Sequence, residues 1–147
     1  KVKYIIDKVK LIHSLDSPSL AEEIERRASE KNLKMGVLIE INIGGEDTKG
    51  GIAPSEALAF ADMINSFPHL ELRGVMTMGP KSEDEAQLRK YFKETYDIFI
   101  DIYAKKIHNK NRLAPRPVLS MVMSTSYRPA IKEGETLIRV GSAIFNK

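Results

Sequence analysis

The sequence predicts an α/β fold, a parallel sheet wrapped by helices, and two observations carry the prediction. Apolar, β-branched runs alternate with segments of helical period along the whole chain, about five strands and four crossovers. The run Gly36 to Ile43 is apolar at nearly every position, as strands covered by helices on both faces are. This pattern fits either a closed barrel or an open doubly wound sheet. In both, functional residues sit just beyond the C-terminal ends of the strands.

The 147 residues suffice for a single domain, residues 1–147, with a real core. Hydrophobic residues make up 42% and charged residues 29%, an ordinary globular balance. The net charge of +3 is dispersed among acidic residues, so no nucleic-acid partner is expected. The absence of cysteine excludes disulfides, thiolate nucleophiles and Cys-based zinc sites, and suits a reducing, cytoplasmic setting. No apolar run approaches the ~20 residues of a membrane helix, so no membrane partner is expected. The chain opens on Lys1, not Met, which suggests a start inside a longer gene product.

Val9 to Leu15 reads as the first strand. A helix follows, with Ser17 as a candidate cap before Pro18, or with Ser19 and Glu22 as a rival capping box; Leu20, Ile24 and Ala28 line its inner face. After the strand Gly36–Ile43 comes a Gly-rich loop, Gly44 to Gly51. A helix from about Pro54 to Ser66 and a strand from Leu70 to Met78 come next. Ser82 to Glu85 is a capping box opening the longest helix, whose inward face is Leu88, Phe92, Thr95, Phe99 and Ile102; Asn109 to Asn111 end it. Pro117 to Met123 is the fourth strand, followed by Ser124-Thr125-Ser126 and a short helical piece toward Gly134. The fifth strand is Leu137 to Phe145, with Leu137, Arg139 and Gly141 on one face and Ile138 and Val140 on the other.

The last two strands carry the chemistry. A guanidinium held on a buried strand needs an anion or an acceptor. Hydroxyls and small residues follow both strand ends, at Ser124 and at Gly141-Ser142, and could hold a phosphate. The plain alternatives are Arg139 in water on an edge strand and both hydroxyls as ordinary caps. The Gly44–Gly51 loop has neither Gly-x-Gly-x-x-Gly nor a P-loop Lys-Ser/Thr, and reads as a βα loop. Lys49 and Lys81 lie in polar loops unsuited to a Schiff-base lysine. His13, His69 and His108 share no metal-ligand spacing, and no Ser-His-Asp set is present.

Five ordered motifs resemble one family. Leu119-Ser120-Met121-Val122-Met123-Ser124 is similar to the Leu-Ser-Met-Gly-Met-Ser segment of the pyridoxal-5′-phosphate homeostasis proteins, single-domain relatives of the alanine racemase N-terminal barrel. Ile138 to Phe145 resembles their closing strand, and Glu40 to Ile43 with Gly45 to Gly51 their middle loop. Leu72 to Met78 and Ile12 to Asp16 resemble two further strands. Val122 replaces the family Gly, and Ser126 stands where an Asp is usual.

The resemblance implies a TIM-type (β/α)₈ barrel, here incomplete, with about five parallel strands and without the N-terminal ones. It implies a pyridoxal 5′-phosphate (PLP) cofactor, with Ser124, Gly141 and Ser142 at the phosphate and Arg139 at the ring nitrogen. The family's Schiff-base lysine is expected upstream of Lys1, and no catalytic residue is expected here. The implied role is non-catalytic PLP binding in cofactor homeostasis, as a carrier or buffer. The alternatives are a fragment of a racemase- or decarboxylase-like enzyme, or a phosphate-binding module without PLP. The full-length protein is expected to be a monomer, and the truncated chain to self-associate through open sheet edges.

Overall fold

The computed structural model describes residues 1–80, 82, 84–106, 116–121 and 127–145, with backbone alone at Ser142 and Ala143. In chain order the elements are β1 (Leu11–Leu15), α1 (Pro18–Glu30), β2 (Met35–Ile41), α2 (Ala57–Ser66), β3 (Leu70–Thr77), α3 (Glu85–Lys105), β4 (Val118–Ser120), α4 (Tyr127–Lys132) and α5 (Ser142–Phe145). The four strands are parallel and lie in sequence order, β1-β2-β3-β4, each bonded to the next. The chain thus winds in one direction, with a helix after each of the first three strands, the winding of an incomplete β/α barrel.

Strand alternation divides the sheet into two faces. Val37, Ile39 and Ile41 of β2, Leu72 and Val75 of β3, and Leu119 join the helix-side core, with Ile24, Ala61, Ile64, Phe92 and Ile102 packed on them. Leu38 and Met76 are equally buried but lie outside that cluster, on the opposite face. Leu72 and Val75 can both face the helices because β3 carries a bulge: Val37 pairs with Leu72 and Leu38 with Gly74, so Arg73 is the extra residue. Gly74 holds the bulge at φ +144°, and a Cβ there would strike the Val118 carbonyl of β4.

The inner face of α3 is the expected one, with Leu88, Phe92, Thr95, Phe99 and Ile102 all buried. Its cap is Asp84, not Ser82: the Asp84 carboxylate accepts from Ala86 N at 2.9 Å and Gln87 N at 3.3 Å. At α1, Ser17 is the N-cap and Pro18 follows it, yet the Ser17 hydroxyl donates to Asp16 Oδ1 at 3.2 Å and caps no helix amide.

The fifth strand does not form. Residues 138–140 are irregular, and Ser142 already opens α5. Thr136 N and Leu137 N both donate to the single carbonyl of Leu119, at 2.9 and 3.1 Å. The Leu119 amide is taken by Thr136 Oγ1 at 2.8 Å, where a strand would offer a carbonyl. The backbone of the segment is therefore pinned to β4 at Leu119 alone, and no ladder propagates from it. The sheet has four strands among the described residues, and β4 is short, Val118–Ser120. Val122 and Met123, expected in β4, lie outside the described residues.

Candidate functional site

The site lies where the non-helical face of the sheet meets the C-terminal strand ends. Glu40 of β2 stands in register with Met76 of β3, and Met76 with Ser120 of β4, so the three form one row across the sheet. All three are buried. Arg139 reaches this row from outside the sheet: its Nε donates to Ser120 Oγ at 3.1 Å and its Nη2 to the Thr77 carbonyl at 3.4 Å. Neighbouring Ile138 is 48% exposed, so this segment turns the arginine in and the isoleucine out.

Charge and burial act together here. Desolvation lowers the Arg139 pKa, opposed by the carboxylates of Glu135 and Glu40. Burial raises the Glu40 pKa, the negative charge of Asp16 raises it further, and Arg139 works in the other direction. His13, on β1, is lowered first by burial and then by the positive charge of Arg139. His13 Nδ1 is buried without a hydrogen-bond partner. One cation thus sits among His13, Glu40 and Glu135 in a poorly hydrated corner, where its remaining N–H groups can serve a ligand.

The Gly44–Gly51 loop is held from beneath. Asn42 Nδ2 donates to the carbonyls of Glu46 and Lys49 at 3.0 and 3.3 Å, while Asn42 Oδ1 accepts from Glu46 N at 3.2 Å. Lys49 Nζ bonds Glu46 Oε1 at 2.7 Å and the Gly79 carbonyl at 3.3 Å, tying the loop to the end of β3. Lys49 is thus engaged in structure, in line with its reading as a loop residue.

Of the four site residues expected from sequence, the structure brings Arg139 to the strand ends and places Gly141 two residues on. The Gly141 carbonyl accepts from Ile144 N and Phe145 N of α5. Ser142 opens that helix, and its side chain lies outside the description, as do Ser124, Lys81 and His108 entirely. Ser120, Thr77, His13 and Glu40 were not among the site residues expected from the sequence. The signal for Glu40 was present: one carboxylate inside an otherwise apolar strand. Among the described residues no cluster of metal-ligating side chains occurs, and no helix is long and apolar enough to cross a membrane.

A parallel sheet whose strands lie in sequence order with helices between them defines a protein of the β/α-barrel class. Residues 1–146 match the family model described as alanine racemase, N-terminal domain, and the chain belongs to that family. A pyridoxal phosphate homeostasis protein of Aquifex aeolicus is 38% identical over 147 residues, covering all of this chain and 62% of its own length. The solved structure of PipY from Synechococcus elongatus without PLP superposes with a TM-score of 0.86 at 25% identity, over 99% of this chain and 66% of that one. A second PipY structure, with PLP bound, superposes with a TM-score of 0.81 at 24% identity, over 99% and 65%. The chain therefore spans about three fifths of the Aquifex relative's length.

Proposed function

We propose that the protein carrying this chain binds pyridoxal 5′-phosphate and serves in PLP homeostasis, holding the cofactor without turning over an amino acid. The observation that carries this reading is Arg139, half-buried and fixed by Ser120 and Thr77 at the strand ends. Arg139 suits the ring nitrogen of the cofactor. A guanidinium has only N–H donors and stays charged, so a ring nitrogen facing it must be an unprotonated acceptor. PLP supplies electron-sink chemistry when its ring nitrogen is protonated, and a partner that keeps it unprotonated weakens that chemistry. Arg139 would hold the ring nitrogen, and Ser124, Gly141 and Ser142 the phosphate. The name of the Aquifex relative and the PLP in one PipY structure support the same ligand.

The test is PLP affinity of the intact protein against its Arg139→Ala and Ser124→Ala variants. Each lost charge-assisted hydrogen bond is expected to weaken binding about tenfold or more. Unchanged affinity in both variants would overturn the assignment. Exchange of an amino acid's α-proton catalysed by the protein would overturn its non-catalytic part.

A further inference from the structure

We propose that Glu40 is a ligand-binding residue, hydrogen-bonded to a hydroxyl on the ligand's aromatic ring at an edge away from the one that meets Arg139. The proposal rests on the reading of this site as a PLP site and goes further, into which part of the ring is recognised.

Three observations carry it. Glu40 is only 6% exposed, yet its carboxyl makes no hydrogen bond or ion pair with any described residue. Its oxygens are not among the sealed, unpartnered polar atoms of the described residues, so the carboxyl stays open to a ligand. Strand alternation places Glu40 and Leu38 on the face away from the helices, since Val37, Ile39 and Ile41 all join the helix-side core. Arg139 works on that same face, bonded to Ser120 at the other end of the Glu40–Met76–Ser120 row.

The two ends of the row are two inter-strand spacings apart, roughly 10 Å. That separation suits one substituted six-membered ring with a polar contact at each edge, above the apolar Met76. The groups around Glu40 act on its proton in both directions. Asp16 beyond β1 and burial both favour the neutral acid, Arg139 opposes them, and His13 of β1 is itself pushed toward its neutral form. A carboxyl pairs with a ring hydroxyl in either state, giving its O–H to the hydroxyl oxygen when neutral and accepting the hydroxyl's O–H when ionised. A pyridine whose nitrogen meets Arg139 and whose ring hydroxyl oxygen meets Glu40 satisfies both ends.

Calorimetric titration of the intact protein with pyridoxine 5′-phosphate and its 3-deoxy analogue tests this, because neither carries an aldehyde and no imine can form. Wild type is expected to bind the analogue about tenfold more weakly, the worth of one buried hydrogen bond. Glu40→Leu should lose about that factor on pyridoxine 5′-phosphate and bind the two ligands alike. Glu40→Gln, which keeps an N–H donor, should stay within about threefold of wild type. Equal affinity of wild type for both ligands overturns the proposal even if Glu40→Leu fails to fold. So does a Glu40→Leu protein that retains wild-type affinity and discrimination. If Arg139→Ala weakens both ligands while Glu40→Leu weakens neither, only the role of Glu40 fails. If the wild-type protein binds neither ligand, the PLP reading fails with it.

Discussion

His13 and Glu40 face the same corner and are moved by the same burial, which works against the charged form of each. The consequences for stability run in opposite directions. The folded His13 gives up its proton more readily than the unfolded side chain, whose usual value is 6.5. Its contribution is therefore present above that value and lost as pH falls through it. Glu40 holds its proton more tightly than an ordinary carboxyl, so its contribution is present at acid pH and lost as pH rises through its elevated folded value. Asp16 and Arg139 bear on these two groups and are retained in the comparison. Thermal melts of His13→Asn should show a shallower loss of stability than wild type between about pH 7 and 5. Identical slopes would show that His13 does not feel this environment.

At the level of the element, the α3 face was legible because five residues at helical spacing all had to be buried, and no competing pattern existed. Caps were less legible, because hydroxyl and carboxylate candidates sat side by side. Asp84 outcompeted Ser82 for the α3 amides, while the Ser82 hydroxyl instead accepts from Asp84 N at 3.1 Å. Asp84→Ala is accordingly expected to cost about 1 kcal/mol, read by urea denaturation. Ser17→Ala should cost less, under about 0.5 kcal/mol, because that hydroxyl bonds Asp16 and no helix amide. Equal costs at the two positions would contradict the capping geometry. The last strand was misread for a related reason. Leu137 to Val140 has strand-forming side chains, but a strand exists only through its neighbour's ladder, and Thr136 uses up the Leu119 amide and carbonyl at one point.

Across the whole molecule, the bulge at Gly74 keeps Leu72 and Val75 on the helix side while turning Met76 toward the site. Gly74→Ala would drive a methyl group into the Val118 carbonyl at φ +144° and is expected to destabilise by more than about 3 kcal/mol. Gly45→Ala meets nothing within 4 Å at φ +62° and should cost only the backbone penalty, about 1 kcal/mol. Comparable melting losses in the two variants would show that β3 and β4 do not approach as described.

The sequence by itself determined the alternation of strands and helices, the parallel sheet, the inward face of α3 and the presence of a chemically unusual arginine near the C-terminus. These follow from local periodicity and from single residues out of place in apolar surroundings. Only the tertiary structure decided that Arg139 rests on Ser120 and Thr77, that the segment carrying it is no strand, and that Glu40, Met76 and Ser120 share one row. Such relations depend on register between strands distant in the chain and on a one-residue bulge. A shift of one residue in pairing moves every side chain to the other face, and no local pattern records that choice.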